Sequence, residues 1–465
     1  MSRINTNVTS LIAQRVLRKN NDSLNTSLER LSTGLKINKG GDNPAGLIAS
    51  ENLRAEKVGI TQAIDNAQRA SNIIGTAEGG LSEISSLLTQ VQGLVNQSAN
   101  TGGMSSEEIE ANQLQVDSIL STINRIAGGT SFEGMKLLDG SYAYMTSGDV
   151  SNKFNNIQIN AAALPDAQAQ AVVVAVTESA QTGHIAYTSG TLASGNAVTI
   201  EIAGSLGKQQ ISFAGGTTVS GMATAINALK NATGVSASIA SGTLNLNSTQ
   251  YGSDQFVSLT TQSGSFANGY DAGRDAAVTV NGAAANATGL AVSFRSSTLD
   301  IELDIDTAFN KAGNSTFYIK GGGATFSLGS KVTEADKASI GIKSVTTGSL
   351  GSSGGYLASL GSGQANQLSA NNLVTAQKIV DKAIKQVSQL RGRLGAFQKF
   401  TLGSTINSLG VALENASAAE SAIRDTDFAE ETASMTRSQI LSQAATTVLA
   451  QANASPQSAL ALLRG

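Results

Sequence analysis

Apolar residues near both ends of the chain follow a heptad spacing. Between Ile74 and Ser98, apolar or small residues recur at alternating intervals of three and four, the spacing of a coiled-coil seam. The spacing continues upstream to Ile60 and predicts one helix from about Pro44 to Ala99, roughly 80 Å long at 1.5 Å per residue. No compact globule needs such a rod, so we predict a long helical arm.

Two further segments show helical periodicity. Residues 105–126 predict a second helix, opened by Ser105 and Ser106 as cap residues and followed by glutamates in its first turn. Between Leu373 and Thr401 the spacing of three and four returns, and it slips at Leu402, which predicts a local unwinding of the supercoil. We expect the two heptad arms, although far apart in sequence, to pack against each other.

The extreme ends, residues 1–40 and 421–463, carry thin amphipathic patterns with few large residues. Such helices are too poor in apolar surface to hold their fold alone. Apolar stripes that a monomer cannot bury usually mark partner surfaces, and a head-to-tail contact that does not close gives a filament. We predict that these ends mediate self-assembly through Ile4, Leu11, Leu24, Leu28, Leu31, Leu35, Phe428, Met435, Leu441, Val448, Leu449 and Leu462.

The middle of the chain, from about Gly140 to Gly363, changes to a period of two and is predicted to be rich in β-strands. A helical stripe from Val219 to Leu229, closed by Gly234, predicts a strand-strand-helix-strand-strand unit within it. The Gly- and Ser-rich residues 346–365 are typical of a connector.

The fold class predicted from these patterns is α+β, in which both chain ends form long antiparallel coiled-coil arms around a β-rich inserted domain. The predicted boundaries are an N-terminal helix at 1–43, an N-terminal arm with a β-hairpin at 44–150, a β-rich insertion at 151–345, a C-terminal arm at 346–420 and a C-terminal helix at 421–465.

Composition narrows the function. The 31 Lys and Arg are balanced by 34 Asp and Glu, so no basic field exists for nucleic acid or an anionic membrane. The chain has no Cys and one histidine, His184, so thiolate sites and a two-histidine zinc site are excluded, and we expect no cofactor or metal. The sequence contains no secretory h-region and no long apolar run, so we expect no membrane span and, for any export, a dedicated machine.

Candidate catalytic patterns are weak. The string Gly204–Gln209 has the wrong glycine spacing for a phosphate loop, and it predicts a turn between strands. The glycines at 321–323 predict a bulged or hairpin loop rather than a dinucleotide site. His184 lies in a polar stretch, which favours an exposed loop histidine over a member of a nucleophilic triad. The sequence therefore predicts no enzymatic activity, with an enzyme carried in the outer domain as an alternative.

Four carboxylates alternate along one predicted strand. Asp300, Glu302, Asp304 and Asp306 would share one face, and the apolar residues between them would share the other. A calcium site is an alternative, but the string lacks the glycine and the glutamate that an EF-hand loop requires. The favoured interpretation is a solvated strand face.

Several strings at both ends carry a family resemblance. At the N-terminal end they are Ile4-Asn-Thr-Asn7, Leu28-Glu-Arg-Leu-Ser-Thr-Gly-Leu35, Asp42-Asn-Pro-Ala-Gly46 and Ala67-Gln-Arg-Ala-Ser-Asn72, and at the C-terminal end they are Leu413-Glu-Asn-Ala-Ser417, Ala422-Ile-Arg-Asp-Thr-Asp-Phe-Ala-Glu430 and Ile440-Leu-Ser-Gln-Ala444. Together they resemble the bacterial flagellins, the subunits of the flagellar filament, over residues 1 to about 150 and about 365 to 465.

The resemblance implies that copies of the chain polymerise into an extracellular filament for motility. The paired termini would line its channel, the heptad arms would form the next shell, and the middle segment, in which Ala225-Ile-Asn227 is similar to a repeat of flagellar outer domains, would project outward. Further implied partners are the flagellar secretion apparatus, an export chaperone that covers the C-terminal helix, and the junction and cap proteins. A hook–filament junction protein and a flagellin-like surface adhesin are the alternative functions.

The resemblance also implies a segment for the mammalian innate receptor. It consists of Thr89, Gln90, Val91, Gln92, Gly93 and Leu94. Receptor-active flagellins carry arginines and a glutamate there, whereas this chain keeps only Val91 and Leu94 of that pattern. We expect weak receptor binding, because charge-assisted arginine contacts are lost. The alternative is that the segment is only helix surface beside the seam.

Overall fold

The computed structural model describes residues 6–100, 102–148, 152–162, 164, 169–188, 192, 196–296, 298–352, 355–369 and 372–462. The chain divides into two compact units. The first comprises Met1–Gln68, Leu328–Asp336 and Gly403–Gly465, and the second comprises Arg69–Ser327 and Lys337–Leu402.

Helices form at both ends of the chain, where the heptad spacing predicts them. The longest begins at Pro44, where a proline costs no hydrogen bond because the first-turn N–H groups lack helical partners anyway. The helices are α1 (Val8–Thr33), α2 (Pro44–Ser98), α3 (Ser106–Gly129), α4 (Val219–Ala228), α5 (Lys230–Thr233), α6 (Leu373–Ala396), α7 (Ser404–Arg424) and α8 (Phe428–Leu462).

The predicted seam of α2 is the buried face of that helix. Every seam residue from Ile74 to Ser98 is buried, including Leu81, Leu88 and Val91. The next helix, α3, starts as predicted, with a capping box in which Ser105 and Glu108 each accept a hydrogen bond from the other's backbone N–H.

Helices α2 and α6 of the second unit run antiparallel. Arg391 Nη2 lies 2.7 Å from Glu78 Oε1, and Gln92 Nε2 donates to Asp381 Oδ1 at 2.7 Å. Contacts that pair a later residue of one helix with an earlier residue of the other require opposite directions. The α+β class with antiparallel helical arms is therefore confirmed.

The predicted slip in the C-terminal heptads coincides with a wide helical turn. Residues Phe397–Gly403 form a π-helix between α6 and α7, and Leu394 and Leu402 on either side of its middle are fully buried. A π-helical turn accommodates an extra residue without breaking the helix. The apolar heptad positions, which shift at Leu402, can therefore continue on the buried face of the helix.

The middle of the chain is rich in antiparallel strands, as its period of two predicts. The strands are β1 (Ser131–Phe132), β2 (Met135–Lys136), β3 (Met145–Gly148), β4 (Phe154–Ala162), β5 (Gln170–Glu178), β6 (His184–Tyr187), β7 (Val198–Gly204), β8 (Gly207–Phe213), β9 (Val235–Ala240), β10 (Thr243–Ser248), β11 (Phe256–Ser263), β12 (Gly269–Ala272), β13 (Ala277–Val280), β14 (Ala283–Thr288), β15 (Ala291–Arg295), β16 (Leu299–Ile305), β17 (Gly313–Gly321), β18 (Ala324–Ser327), β19 (Lys337–Ile340), β20 (Gly351–Ser352) and β21 (Gly355–Tyr356).

An eight-stranded sheet holds the first β core, in the order β3-β17-β5-β13-β14-β15-β16-β4. Its buried face is built from alternate residues of each strand, such as Val172 and Val174 of β5 and Ile301 and Leu303 of β16. The apolar side of the carboxylate strand is therefore buried, as its alternation predicts.

A second module is inserted between β5 and β13. Its two sheets, β12-β11-β7-β8 and β6-β10-β9, pack with α4 around a separate core that includes Ile200, Met222 and Leu244. The predicted strand-strand-helix-strand-strand unit is present, with its two hairpins in different sheets. The ends of the module meet where Gln181 and Arg274 exchange two backbone hydrogen bonds of 2.8 and 3.0 Å.

Residues 346–365 differ from the predicted connector, because they are packed. Leu350, Leu357 and Leu360 are buried, and the side chain of Gln386 hydrogen-bonds both the N–H and the carbonyl of Gly351 at 2.8 Å. The segment is Gly- and Ser-rich overall, but its three widely spaced leucines are buried and anchor it to the rest of the unit. The C-terminal helical arm itself begins at Leu373.

We expect that residues 182–273 can be removed without unfolding the rest of the chain. Gln181 and Arg274 already face each other as a hairpin end would, so an Asn-Gly linker can join them. Circular dichroism and a single thermal transition of the deletion variant would confirm this. As a contrast, removing 185–290 also deletes β13 and β14 of the eight-stranded sheet and should unfold that sheet. Loss of folding in the first deletion would contradict the separate core.

Candidate assembly surface

The two ends of the chain pair with each other in the first unit. Ser10 Oγ donates to Asn453 Oδ1 at 2.7 Å near one end of the pair, and Arg30 lies 3.5 Å from Glu431 near the other. Because the earlier residue of α1 contacts the later residue of α8, the two helices are antiparallel.

The interface between α1 and α8 is built from small or polar side chains. Ser10, Ala13 and Ser27 are buried on α1, and Ser438 and Ala445 are buried on α8. Small side chains let two helices approach closely but remove little apolar area from water.

Many large apolar side chains of the same two helices are exposed instead of buried at this interface. Leu11 is 58% exposed and Ile440 is 62% exposed. The exposed large residues are Val8, Leu11, Ile12, Val16 and Leu28 on α1, and Phe428, Ile440, Leu441 and Val448 on α8. Burying each such side chain is worth about 1.5–3 kcal/mol, so an isolated pair leaves most of its apolar free energy unused.

The predicted self-assembly residues fall into three groups. Those on the exposed face are Leu11, Leu28, Phe428, Leu441 and Val448, and those partly buried are Leu24, Leu31, Leu35, Met435 and Leu449. Ile4 and the side chain of Leu462 lie outside the described residues.

Sequence reasoning missed four exposed residues: Val8, Ile12 and Val16 on α1, and Ile440 on α8. The three residues on α1 could have been identified from the sequence, because they recur at intervals of four and therefore lie on one face of the helix.

The motif at 42–46 fixes the turn between α1 and α2. Asp42 Oδ2 accepts the backbone N–H groups of Asn38 and Lys39 at 2.9 Å, and these bonds hold the pKa of Asp42 below its ordinary value. Asn43 Oδ1 accepts the N–H of Gly46 at 2.9 Å. A Cβ on Gly46 would come within 2.7 Å of the Ile37 side chain and 2.8 Å of the Asn43 side chain, so a larger residue would require these side chains to shift.

The helix that follows this turn is tied to the C-terminal part of the same unit. Lys57 Nζ lies 2.7 Å from Glu420 of α7, and Arg424 Nη1 lies 2.8 Å from Glu51. The turn and these ion pairs give the α1–α8 pair a fixed attachment within the first unit.

His184 is on a strand, not in the predicted loop. It belongs to β6, where it pairs with Asn247, and its exposed ring hydrogen-bonds Asn245 at 3.1 Å. The polar residues around His184 led to the prediction of a loop, because a short strand at the edge of a sheet can be as polar as a loop. No group of three or more possible metal-ligating side chains occurs in the part of the chain that the structure describes.

The carboxylate face of β16 is partly buried and ionic, not simply solvated as predicted. Arg295 of the adjacent strand lies 3.5 Å from Asp300 and 3.8 Å from Glu302. Asp304 lines a cavity of about 130 Å³ together with Lys343 and Arg393. The cations come from segments distant in sequence, so alternation along the strand alone could not reveal them.

Asp306 does not share the strand face, because β16 ends at Ile305. Its side chain instead accepts the N–H of Ala308 at 2.8 Å and caps a short 3₁₀ turn.

The segment predicted for the receptor lies on α2. Val91 is fully buried in the seam, Thr89 and Gln90 are exposed, and Leu94 is partly buried. Gln92 bonds Asp381, and a Cβ on Gly93 would meet open space.

Terminal helices that present large apolar side chains outward are typical of self-assembling structural subunits. Models of the bacterial flagellin N-terminal helical region and C-terminal helical region match residues 4–143 and 377–463. The flagellin hook IN motif matches residues 199–250, which include Ala225-Ile-Asn227.

Full-length relatives agree. Flagellin B of Vibrio anguillarum is 31% identical over 461 residues, which is 99% of each chain. A flagellin of Salmonella choleraesuis is 31% identical over 503 aligned residues, again 99% of each chain. The chain belongs to the bacterial flagellin family. It is a structural subunit of the flagellar filament and is exported to form this extracellular filament.

Junction proteins appear as weak structural neighbours. The flagellar junction protein FlgL from Legionella pneumophila aligns at 14% identity and a TM-score of 0.29, over 81% of this chain and 100% of that one. A likeness this low does not favour the junction alternative. None of the described helices is long and apolar enough to span a membrane.

We expect the partly buried Lys343 to make stability depend on pH. Burial, with Arg393 nearby, lowers the pKa of Lys343 to about 8 from 10.5. Between these values the unfolded chain binds a proton that the folded chain has lost, so the free energy of unfolding should rise as the pH rises through this window. Urea unfolding measured from pH 7 to 10.5 would show it.

The rise should be smaller in Lys343→Met and unchanged in Lys230→Met, which alters an exposed lysine. An identical pH dependence in Lys343→Met and the wild type would contradict this account.

Proposed function

We propose that copies of this chain polymerise through the outward apolar face of the α1–α8 pair. The observation that supports this is the inverted distribution of side chains, small between the two helices and large on their outer faces. In a filament the neighbouring copies would cover these residues, which supplies the apolar burial that the pair lacks.

The domain boundaries belong to the same proposal. Residues 1–43 and 421–465 would form the inner layer around the channel, 44–150 and 346–420 the next shell, and 151–345 the outer part. The separate core of the inserted module supports a modular outer part, because that core does not depend on the helical arms.

The partners of export are also proposed. The exposed apolar side chains of α8 would need cover before polymerisation, which suits a chaperone that binds this helix and then releases it to the flagellar secretion apparatus. Junction and cap proteins would meet the same terminal helices at the filament ends. We propose a structural role alone, without enzymatic activity.

Substitution of the outward residues should block polymerisation and leave the monomer folded. Leu11→Gln and Val448→Gln each remove a large exposed apolar side chain, so each should raise the critical concentration about tenfold or more. Sedimentation of polymerised protein at several concentrations measures this value.

Two controls complete the experiment. Ile239→Gln, at an exposed apolar residue of the inserted module, should leave the critical concentration unchanged. Chains that lack residues 1–40 or 421–465 should remain soluble monomers. Filaments from either truncated chain would show that the ends are not the interface.

We also propose that the chain activates the mammalian innate receptor only weakly. Gln90 is exposed and Gly93 faces open space, so neither supplies the charge-assisted contacts that arginine and glutamate would make. Binding energy concentrates in a few such anchors.

The variant Gln90→Arg/Gly93→Glu should activate receptor reporter cells more strongly than the wild type, because open space at Gly93 accepts a side chain. The charge-matched variant Gln250→Arg/Ala228→Glu, at exposed positions of the inserted module, serves as the control. Strong activation by the wild type, or no gain in the first variant, would refute the proposal.

A further inference from the structure

Charges on the α1–α8 pair are segregated along its length. Residues 425–431 contain four acidic residues, and residues 432–465 contain none. On α1, Arg15, Arg18 and Lys19 lie within five residues of each other and are exposed.

The three cations have no ion-pair partner among the described residues. They line an open cleft of about 570 Å³ that continues along α1 to the Arg30–Glu431 ion pair. Two carboxylates line this cleft. Glu431 is bound to Arg30, and Asp22 makes no ion pair with the cations.

The acidic segment has one free carboxylate and two that bind only local donors. Asp427 accepts the N–H groups of Ala429 and Glu430 as a helix cap, and Asp425 accepts Ser421 Oγ at 2.6 Å. Glu430 is exposed and makes no ion pair within the described part of the chain. Asp425, Asp427 and Glu430 therefore make no ion pair within the described residues, although Lys36 follows the bridge partner of Asp425 in sequence.

These two charged segments cannot neutralise each other within one copy. Asp425 lies beside Leu35, 16 to 20 residues from the cations, and Glu430 precedes Glu431, whose partner Arg30 is 11 to 15 residues from them, so roughly 16–30 Å of mostly helical chain separates the two segments at 1.5 Å per residue. That distance exceeds the screening length of about 10 Å in 0.1 M salt.

We propose that the acidic segment 425–430 of one copy binds the basic cleft at Arg15, Arg18 and Lys19 of another copy. A shift of roughly 16–30 Å along the helix pair brings the opposite charges together, and the same shift can repeat without closing. This contact rests on the proposed function and adds to it an electrostatic setting of the axial register between subunits.

The contact is tested with two neutralised full-length chains. The basic-neutral variant carries Arg15→Gln, Arg18→Gln and Lys19→Gln. The acid-neutral variant carries Asp425→Asn, Asp427→Asn and Glu430→Gln, in which asparagine retains the helix cap. Circular dichroism of each monomer shows whether its folding is unchanged.

Critical concentrations are measured in about 0.1 M and about 1 M NaCl, where the screening lengths are about 10 Å and 3 Å. The wild type should polymerise less readily at high salt. At low salt each variant should show a critical concentration about threefold to tenfold higher than the wild type, with a weaker salt dependence. The chain with all six substitutions should be no worse than either variant, because both remove the same contact.

A matched control, Lys208→Gln/Lys230→Gln/Lys320→Gln, removes three exposed cations of the second unit and should behave as the wild type. Equal losses in this control, additive losses in the combined chain, or wild-type behaviour of both variants would overturn the contact. Polymerisation of the chain lacking 421–465 would instead contradict the proposed function and the contact together.

Discussion

The rest of the assembly account depends on how the two terminal helices share their side chains. The residues buried between α1 and α8 are serines and alanines, together with the Arg30–Glu431 ion pair, whereas Leu11, Ile440 and Val448 face outward. A pair built this way gains little from its own interface and much from a neighbour. Under the proposed function, the terminal pair would gain its missing apolar burial only from neighbouring copies.

The second unit follows the opposite rule and buries its large side chains internally. Leu81, Leu88 and Val91 fill the seam of α2, and the strands around Ile301 and Ile200 fill two separate β cores. Folding of this unit does not need other copies. The second unit therefore has its own apolar cores, whereas the terminal pair of the first unit leaves apolar side chains exposed.

Much of the fold was predictable from the sequence, because the spacing of apolar residues shows which face of a helix or strand is buried. The heptads gave the bounds of α2 within one residue, the slip at Leu402 marked the π-helix, and alternation along β16 identified its buried face. Patterns within one segment could not show which distant cations face Asp304, or that Leu350, Leu357 and Leu360 anchor a Gly- and Ser-rich segment. Among the residues predicted for self-assembly, Leu11 and Val448 are exposed and Leu24 and Leu31 are partly buried, and their role in assembly stays a prediction.

The cysteine-free chain offers the most direct test of the central claim, since a single introduced thiol reports on one position. Val448→Cys is labelled with a soluble maleimide in the monomer and in the assembled filament, and Leu206→Cys on the inserted module serves as the reference. The account predicts fast labelling of both positions in the monomer and strong protection of position 448 alone in the filament. Equal labelling of position 448 in monomer and filament would contradict it.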